Sequence, residues 1–553
     1  MTDGRTAYGQ LMSASRNSAD VQLARPTDAA IVASVGGMQP SGSAPTTPFL
    51  PGRHFAITWG IPDSYGGMTN AMFHRTRAFV EVGGVSVDVL TLDARPDYPE
   101  VERRLRDSGQ IVDGIRLLNL WDWLRTHPLP GGSLNPSRHP LSPLDRSGVA
   151  PDVDAPAERD GVPMSRVRRA PDGTVLQTDY YRVDGSLLAS DRRDVRERGV
   201  VGGRAIVLCD ERGEPVRSWG RVRDLYTAWL DALTAKQQSW LIIDSKSVAN
   251  LLLEYRRSHV VTAHIVHASH LVGQTRPLGT LRPSRKPVFD DLGAYDSIVV
   301  LTERQKSDIE AMLGHHENLA VVPNARSLGE APGGDTVVAR EPGAGIMLAA
   351  LTKRKRVAHA IRAVAAVSDD TGVHLDIYGD GELRDDLAAE IDGLDASGRV
   401  RLRGHDTAAA ARLTEASFLL LTSTSEGFPL VLVESLAAGC IPIAYDIPYG
   451  PSDIVEDGVN GFLVPAGDVA GLTDAIERLA SLDEAALEGM RSAARASAAR
   501  FSDERVTADW MRELTRAAVA KKTAAARSEQ LLKVVQRAPR AIARRLRSLR
   551  SGR

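Results

Sequence analysis

The chain has 553 residues, and its 68 Lys and Arg nearly cancel its 70 Asp and Glu to leave a formal charge of −2. That length asks for two domains of about 150 to 200 residues plus insertions and tails, and the near-neutral balance excludes a global field recruiting nucleic acid or membrane. The two cysteines, Cys209 and Cys440, lack metal-ligand spacing, which excludes a disulfide framework or structural zinc and fits a reducing compartment.

Residues 1–50 are rich in Ser, Gly, Pro and Ala, hold no apolar run long enough for a signal segment or membrane span, and are expected to form a mobile leader. The run FAITW at 55–59 leads into GIPDSYGGMTNAM, then a helical stretch at 71–81 and an apolar run at 87–92. This is a βαβ opening with a Gly-rich first turn. A polar, Pro-laden stretch at 127–163 is too long for an ordinary connection and borders an insertion. Runs at 175–183, 187–194 and 205–210, divided by Asp172-Gly173, Asp184-Gly185 and Arg212-Gly213 turn pairs, predict an antiparallel β-rich insertion at about 165–220. Parallel texture resumes at 240–243, 259–266, 297–301 and 320–322, closing a first domain over 51–335. From 346 onward short apolar runs alternate with helical patterns, as strands buried on both faces do, and predict a second, Rossmann-like domain over 336–515. Ligands on such sheets sit at the carboxyl ends of the strands. A basic helical tail is expected at 516–553; its end, KVVQRAPRAIARRLRSLRSGR, has no acid and carries arginines three to four apart. Such a stretch suits an anionic membrane surface, at about 1 kcal/mol per cation, or acts as a solubilising tail or one attracted to anionic polymer.

Chemistry-bearing residues gather in SEGFPLVLVESLAAGCIPIAYDIPYGPSDIVEDGVNGFLVP at 425–465. Glu426 lies in the loop after an apolar strand, and Glu434 lies in the helix that begins near Pro429, a favoured first-turn residue. First-turn amides such as those of Leu430 and Val431 have no intrahelical acceptor, and with the helix dipole they suit a diphosphate without a metal. The bland alternative makes Glu426 a turn cap and Glu434 a solvated helix residue. This glutamate pair in its Gly427-Phe428-Pro429 context, with the Ala-Gly-Cys-Ile-Pro strand entry and NGFLVP, resembles the family four retaining glycosyltransferases. The resemblance implies an α/β fold of the GT-B type: two Rossmann-like domains facing across a cleft, with the antiparallel insertion in the first. It also implies that Glu426 contacts the transferred sugar, that Glu434 holds the nucleotide ribose, and that Phe428, Pro429, Leu430 and Val431 shape the donor site.

The run Tyr449-Gly450-Pro451-Ser452-Asp453 resembles a subgroup: poly(glycerol-phosphate) glucosyltransferases, poly(ribitol-phosphate) N-acetylglucosaminyltransferases and enzymes that start O-glycosylation of serine-rich proteins. The turn YGDGEL at 378–383 matches the family, with glycines serving the backbone. Family members place an Arg at the end of the first strand and a Lys five residues on. Here Lys355 stands at the Lys position and Ala350 at the Arg position, so Arg354 becomes a substitute candidate for the diphosphate. Resemblance puts Gly66 and Gly67 at the cleft, facing donor and acceptor, and among His264, His267 and His270 it favours His267 for the donor sugar with His270 second. The three-residue spacing of these histidines lacks the thiolates or carboxylates of a zinc site. Asp152 and Asp154 are a chance pair, and no metal is expected.

The expected activity is retaining transfer of a hexose or N-acetylhexosamine from a UDP-sugar, such as UDP-glucose or UDP-N-acetylglucosamine, to a teichoic acid type polymer in the cytoplasm or at the inner membrane face. Rivals are a protein O-glycosyltransferase for Ser/Thr-rich surface proteins and a non-catalytic partner subunit, which Ala350 brings into view. The β-rich insertion offers a route to homo-oligomers, and no nucleic acid partner is expected.

Overall fold

The computed structural model describes residues 49–134, 141–144, 152–197, 200–273, 275–327 and 340–537. The leader at 1–50, but for its last two residues, and the tail beyond 537 lie outside them.

The apolar runs of the first domain form seven parallel strands, in the order Leu319–Val321, Ser297–Val300, Val260–Val266, Ser239–Ile243, Arg53–Ile57, Val87–Thr91, Ile115–Asn119. Val87–Thr91, Ser239–Ile243 and Val260–Val266 are buried at every position, because helices cover both faces. The chain builds one way from Arg53–Ile57 and, after the insertion, the other way from Ser239–Ile243. The direction therefore reverses between those two strands, whose carboxyl ends open a crevice. The second sheet, also parallel, runs Val400–Gly404, His374–Tyr378, Ala344–Leu348, Phe418–Leu421, Ile441–Asp446, Phe462–Pro465. Its reversal falls between Ala344–Leu348 and Phe418–Leu421, so the loops 349–356 and 422–429 form the rim. The YGDGEL turn serves the backbone as expected, since a Cβ at Gly379 would collide with the Ala349 carbonyl.

The insertion is a six-stranded antiparallel sheet from Ala157–Arg159 to Pro215–Trp219, so it starts earlier than the expected 165. Its first strands escape the alternation rule because arginines occupy them and pair across the sheet: Arg168 with Asp194 at 2.5 Å, and Arg169 with Asp154 at 2.8 Å. The second pair gives Asp154 a structural use. The expected Asp-Gly turns form, with Gly173 at φ +82° and the Asp172 carboxylate accepting from the Thr174 amide at 2.9 Å. Tyr180 stacks on Trp121 with centroids 3.6 Å apart, and Leu188, Ile206 and Trp219 join the core around Trp229, seating the insertion on the first domain.

The tail departs from expectation. One helix, Asp503–Arg537, begins before the 515 boundary and crosses back onto the first domain rather than starting a separate tail at 516. His74 meets Asp503 at 2.6 Å, Trp510 packs edge-on against Phe79 under the Arg75 guanidinium, and Lys521 pairs with Asp296 at 2.8 Å. The buried Val506, Trp510, Leu514 and Ala517 stripe is what the sequence reading missed, because it recurs at helical spacing only from 503 onward. Residues 522–530 are exposed. Among the described residues no helix is long and apolar enough to cross a membrane.

Candidate active site

Both rim loops of the second sheet are laced together by their backbones. The Thr422 hydroxyl donates to the carbonyls of Lys355 and Arg356 at 2.9 and 3.0 Å, and the Thr424 amide donates to the Arg354 carbonyl at 2.8 Å. This brings Lys355 Nζ within 2.7 Å and Arg354 Nη1 within 2.9 Å of the same oxygen of Glu426. Lys355 and Glu426 are 15 % and 13 % exposed, whereas Arg354 is 51 % exposed, so the lysine is the better-shielded partner. Burial alone would raise the Glu426 carboxyl, but the Lys355 and Arg354 charges and the Lys355 hydrogen bond outweigh it and hold it below the ordinary value. Glu426 therefore stands ionised at neutral pH. Behind it the helix Leu430–Ala438 starts after Pro429, and the first-turn residues Leu430 and Val431 line the same space.

On the first domain, Asp244 ends the strand Ser239–Ile243 at the point where that sheet reverses. Fully buried, it accepts from both Arg75 Nη atoms at 2.9 and 2.8 Å and from His267 Nε2 at 2.8 Å. Burial opposes its charge, yet Arg75 and His267 hold it down to about 2. The anchored His267 reaches the cleft. His264 and His270 do not: His264 bonds the Ile243 carbonyl at 2.9 Å, and His270 is sandwiched between the Phe289 and Tyr449 rings. Burial lowers these two to about 3 and about 4, so both are neutral packing groups and His270 drops out as a second candidate.

One cavity of about 720 Å³ joins the two walls. It is lined by Gly67, His267, Arg354, Lys355, Glu426 and the run Gly427 to Val431, which includes Phe428 and Pro429. Gly66 caps the helix Gly67–Glu81 at the rim, and a Cβ on either glycine would meet no protein atom, so nothing inside the fold requires them to be small. The cleft they face is what a side chain would fill. Gly427 is the opposite case: its Cβ would collide with the His267 carbonyl, so its bareness lets the two walls touch. Glu434 is off the cavity and ion-paired with Arg326. Sequence reasoning missed Asp244, Lys246, Arg282 and Arg285, which also line the space. For Asp244 a signal existed, an acid directly after the strand WLII at a reversal point; the others carry no local motif.

The Tyr449 to Asp453 run docks the domains. Tyr449 donates to Asp308 at 2.7 Å, and Asp453 accepts from the Glu303 amide at 2.7 Å, capping the first-domain helix Glu303–Leu313. Arg304 in turn pairs with Asp446 and donates to Ser452 at 2.8 Å.

Residues 340–497 match the family described as Glycosyl transferases group 1. This stretch is a group 1 glycosyl transferase domain. Curated relatives of the chain include a poly(ribitol-phosphate) alpha-N-acetylglucosaminyltransferase of Staphylococcus aureus, 22 % identical over 83 % of this chain and 98 % of its own length. A poly(glycerol-phosphate) alpha-glucosyltransferase of Bacillus subtilis is 27 % identical, covering 76 % and 69 %. An exopolysaccharide phosphotransferase of Streptomyces coelicolor is 35 % identical over 49 % of this chain, and the match spans only 28 % of that protein. Among solved structures, TarM superimposes with a TM-score of 0.67 at 19 % identity, over 85 % of this chain and 99 % of that one. The pneumococcal O-GlcNAc transferase GtfA in complex with UDP and GlcNAc gives 0.59 at 18 % identity, over 84 % and 99 %. The chain thus has the GT-B fold with the antiparallel insertion that its sequence predicted.

Proposed function

We propose that the chain moves a hexose or N-acetylhexosamine from a UDP-sugar, with retention of configuration, onto a polyol-phosphate polymer of the cell envelope. The meeting of Lys355 and Glu426 at the reversal point of the second sheet, in one cavity with Gly67 and His267, carries this reading. Glu426, ionised and pinned by two cations, positions sugar hydroxyls rather than attacking carbon. Lys355, Arg354 and the amides of Leu430 and Val431 receive the charge that develops on the diphosphate. The leaving oxygen accepts the proton of the acceptor hydroxyl, which attacks from the same face, so retention needs no covalent intermediate. Glu434 takes the ribose by exchanging its Arg326 partner for sugar hydroxyls, and His267, tied through Nε2 to Asp244, turns its other edge to the donor sugar.

The relatives named for poly(ribitol-phosphate) and poly(glycerol-phosphate) support the acceptor class. The likeness to GtfA keeps protein O-glycosylation as a second reading, and Ala350 keeps a non-catalytic subunit as a third. UDP-sugar turnover by the wild type and by Glu426→Ala, with poly(ribitol phosphate), poly(glycerol phosphate) and an unmodified serine-rich protein offered side by side, tests all three. Transfer to polyol phosphate that Glu426→Ala loses is expected. Wild-type turnover no better than background would leave the non-catalytic reading standing. Vesicle flotation of the full chain against one ending at 532 tests attachment of a cytoplasmic enzyme to anionic membrane, and light scattering tests self-association.

A further inference from the structure

Arg285 is 8 % exposed and lines the cleft, yet among the described residues no carboxylate or other acceptor meets its guanidinium. Equally buried arginines elsewhere are compensated: Arg75 grips Asp244, and Arg491 lies 3.6 Å from Glu484. A buried, unpaired cation is costly, so a fold that keeps one at a cavity wall is prepared for a charge from outside. Its neighbours deepen the imbalance. Arg282, three residues earlier, spends only Nε on the Ser269 carbonyl at 3.2 Å, and exposed Lys246 lines the same wall. Among the described residues the one acid on that wall, Asp244, is already shared between Arg75 and His267. Burial, with the Arg282 charge adding to it, lowers Arg285 to about 10, which leaves it cationic at neutral pH.

Opposite, Lys355 and Arg354 both lean on Glu426, and Ala350 offers no charge at the strand end. The uncompensated positive charge of the cavity is therefore concentrated on the first-domain wall. We propose that Arg285, assisted by Arg282, is a phosphate-binding site on that wall, taking a phosphate of either the donor diphosphate or the polyol-phosphate acceptor. This rests on the sugar-transfer reading above for its two phosphate sources.

Calorimetric titration of the full chain with UDP, and separately with poly(glycerol phosphate), tests it in the wild type, Arg285→Gln and Arg285→Lys. Loss of a charged hydrogen-bond partner raises the dissociation constant at least about tenfold in Arg285→Gln, with Arg285→Lys between it and wild type. The probe that weakens identifies the phosphate. Ligand-free Arg285→Gln should melt no lower than wild type, because it sheds an uncompensated charge; a structural arginine would lower the melting temperature instead. Unchanged binding of both probes by Arg285→Gln, while the wild type binds UDP, overturns this inference and spares the sugar-transfer reading. A wild type that binds neither probe overturns both. An Arg285→Gln chain that fails to fold counts against the site, and the half-buried Arg282→Gln then supplies the binding comparison: unchanged affinities for both probes complete the refutation.

Discussion

Asp244 shows how one buried carboxylate holds a wall of the cleft. It stays ionised only because Arg75 and His267 outweigh its burial, so removing its charge strands the Arg75 guanidinium. Asp244→Asn should cost about 3–5 kcal/mol, read as a lower urea midpoint. Because its folded pKa lies below the unfolded value, its stabilisation is complete above the ordinary carboxylate range and fades as pH falls from about 4 towards 2. Urea midpoints measured between pH 5 and 2 should fall more steeply for wild type than for Asp244→Asn; parallel curves would refute the assignment. On the proposed reading Lys355 acts on the reaction instead. In Lys355→Ala, kcat should drop about 10²–10³-fold, with a smaller change in KM for the UDP-sugar, since the ammonium matters most as charge develops on the leaving group.

At the scale of elements, domain apposition depends on a missing side chain and a returning helix. Gly427 abuts the His267 carbonyl, so Gly427→Ala must push the second-domain loop off the first-domain wall. Misplacement of about 1 Å can cost about 10²-fold in rate, and this variant should show that loss with an unchanged circular dichroism spectrum. A fully active Gly427→Ala would mean that the walls need not touch. The helix Asp503–Arg537 is pinned by Trp510, buried against Phe79 and Arg75. Trp510→Ala should destabilise by about 3–5 kcal/mol in chemical denaturation, because the vacated volume lies between helices that cannot close over it.

Over the whole molecule, two sheets each present their point of reversed strand order to a shared cavity, and the Tyr449 to Asp453 dock together with the returning helix sets their separation. Each sheet supplies a loop-borne carboxylate held by cations, Asp244 on one wall and Glu426 on the other. Under the proposed sugar transfer the second domain would meet the leaving diphosphate through Lys355 and Arg354, while the first adds the surplus positive charge of Arg285 and Arg282.

Local pattern alone determined much of this protein. Doubly buried strands and Asp-Gly turns announce themselves because period and turn chemistry are properties of adjacent residues, while the Glu426 to Val431 run stands out through the family resemblance it carries. Other features belong to pairs far apart in the chain, and only the tertiary structure decided them. Nothing near Asp244 in sequence tells that Arg75 lies 2.8 Å away across 169 positions, nor that Arg326 meets Glu434 across 108. The enclosure of His270 between two rings, the seating of the C-terminal helix on the first domain and the lone Arg285 all depend on which surfaces close against each other. Desolvation and charge pairing are set by that closure, and no window of neighbouring residues contains it.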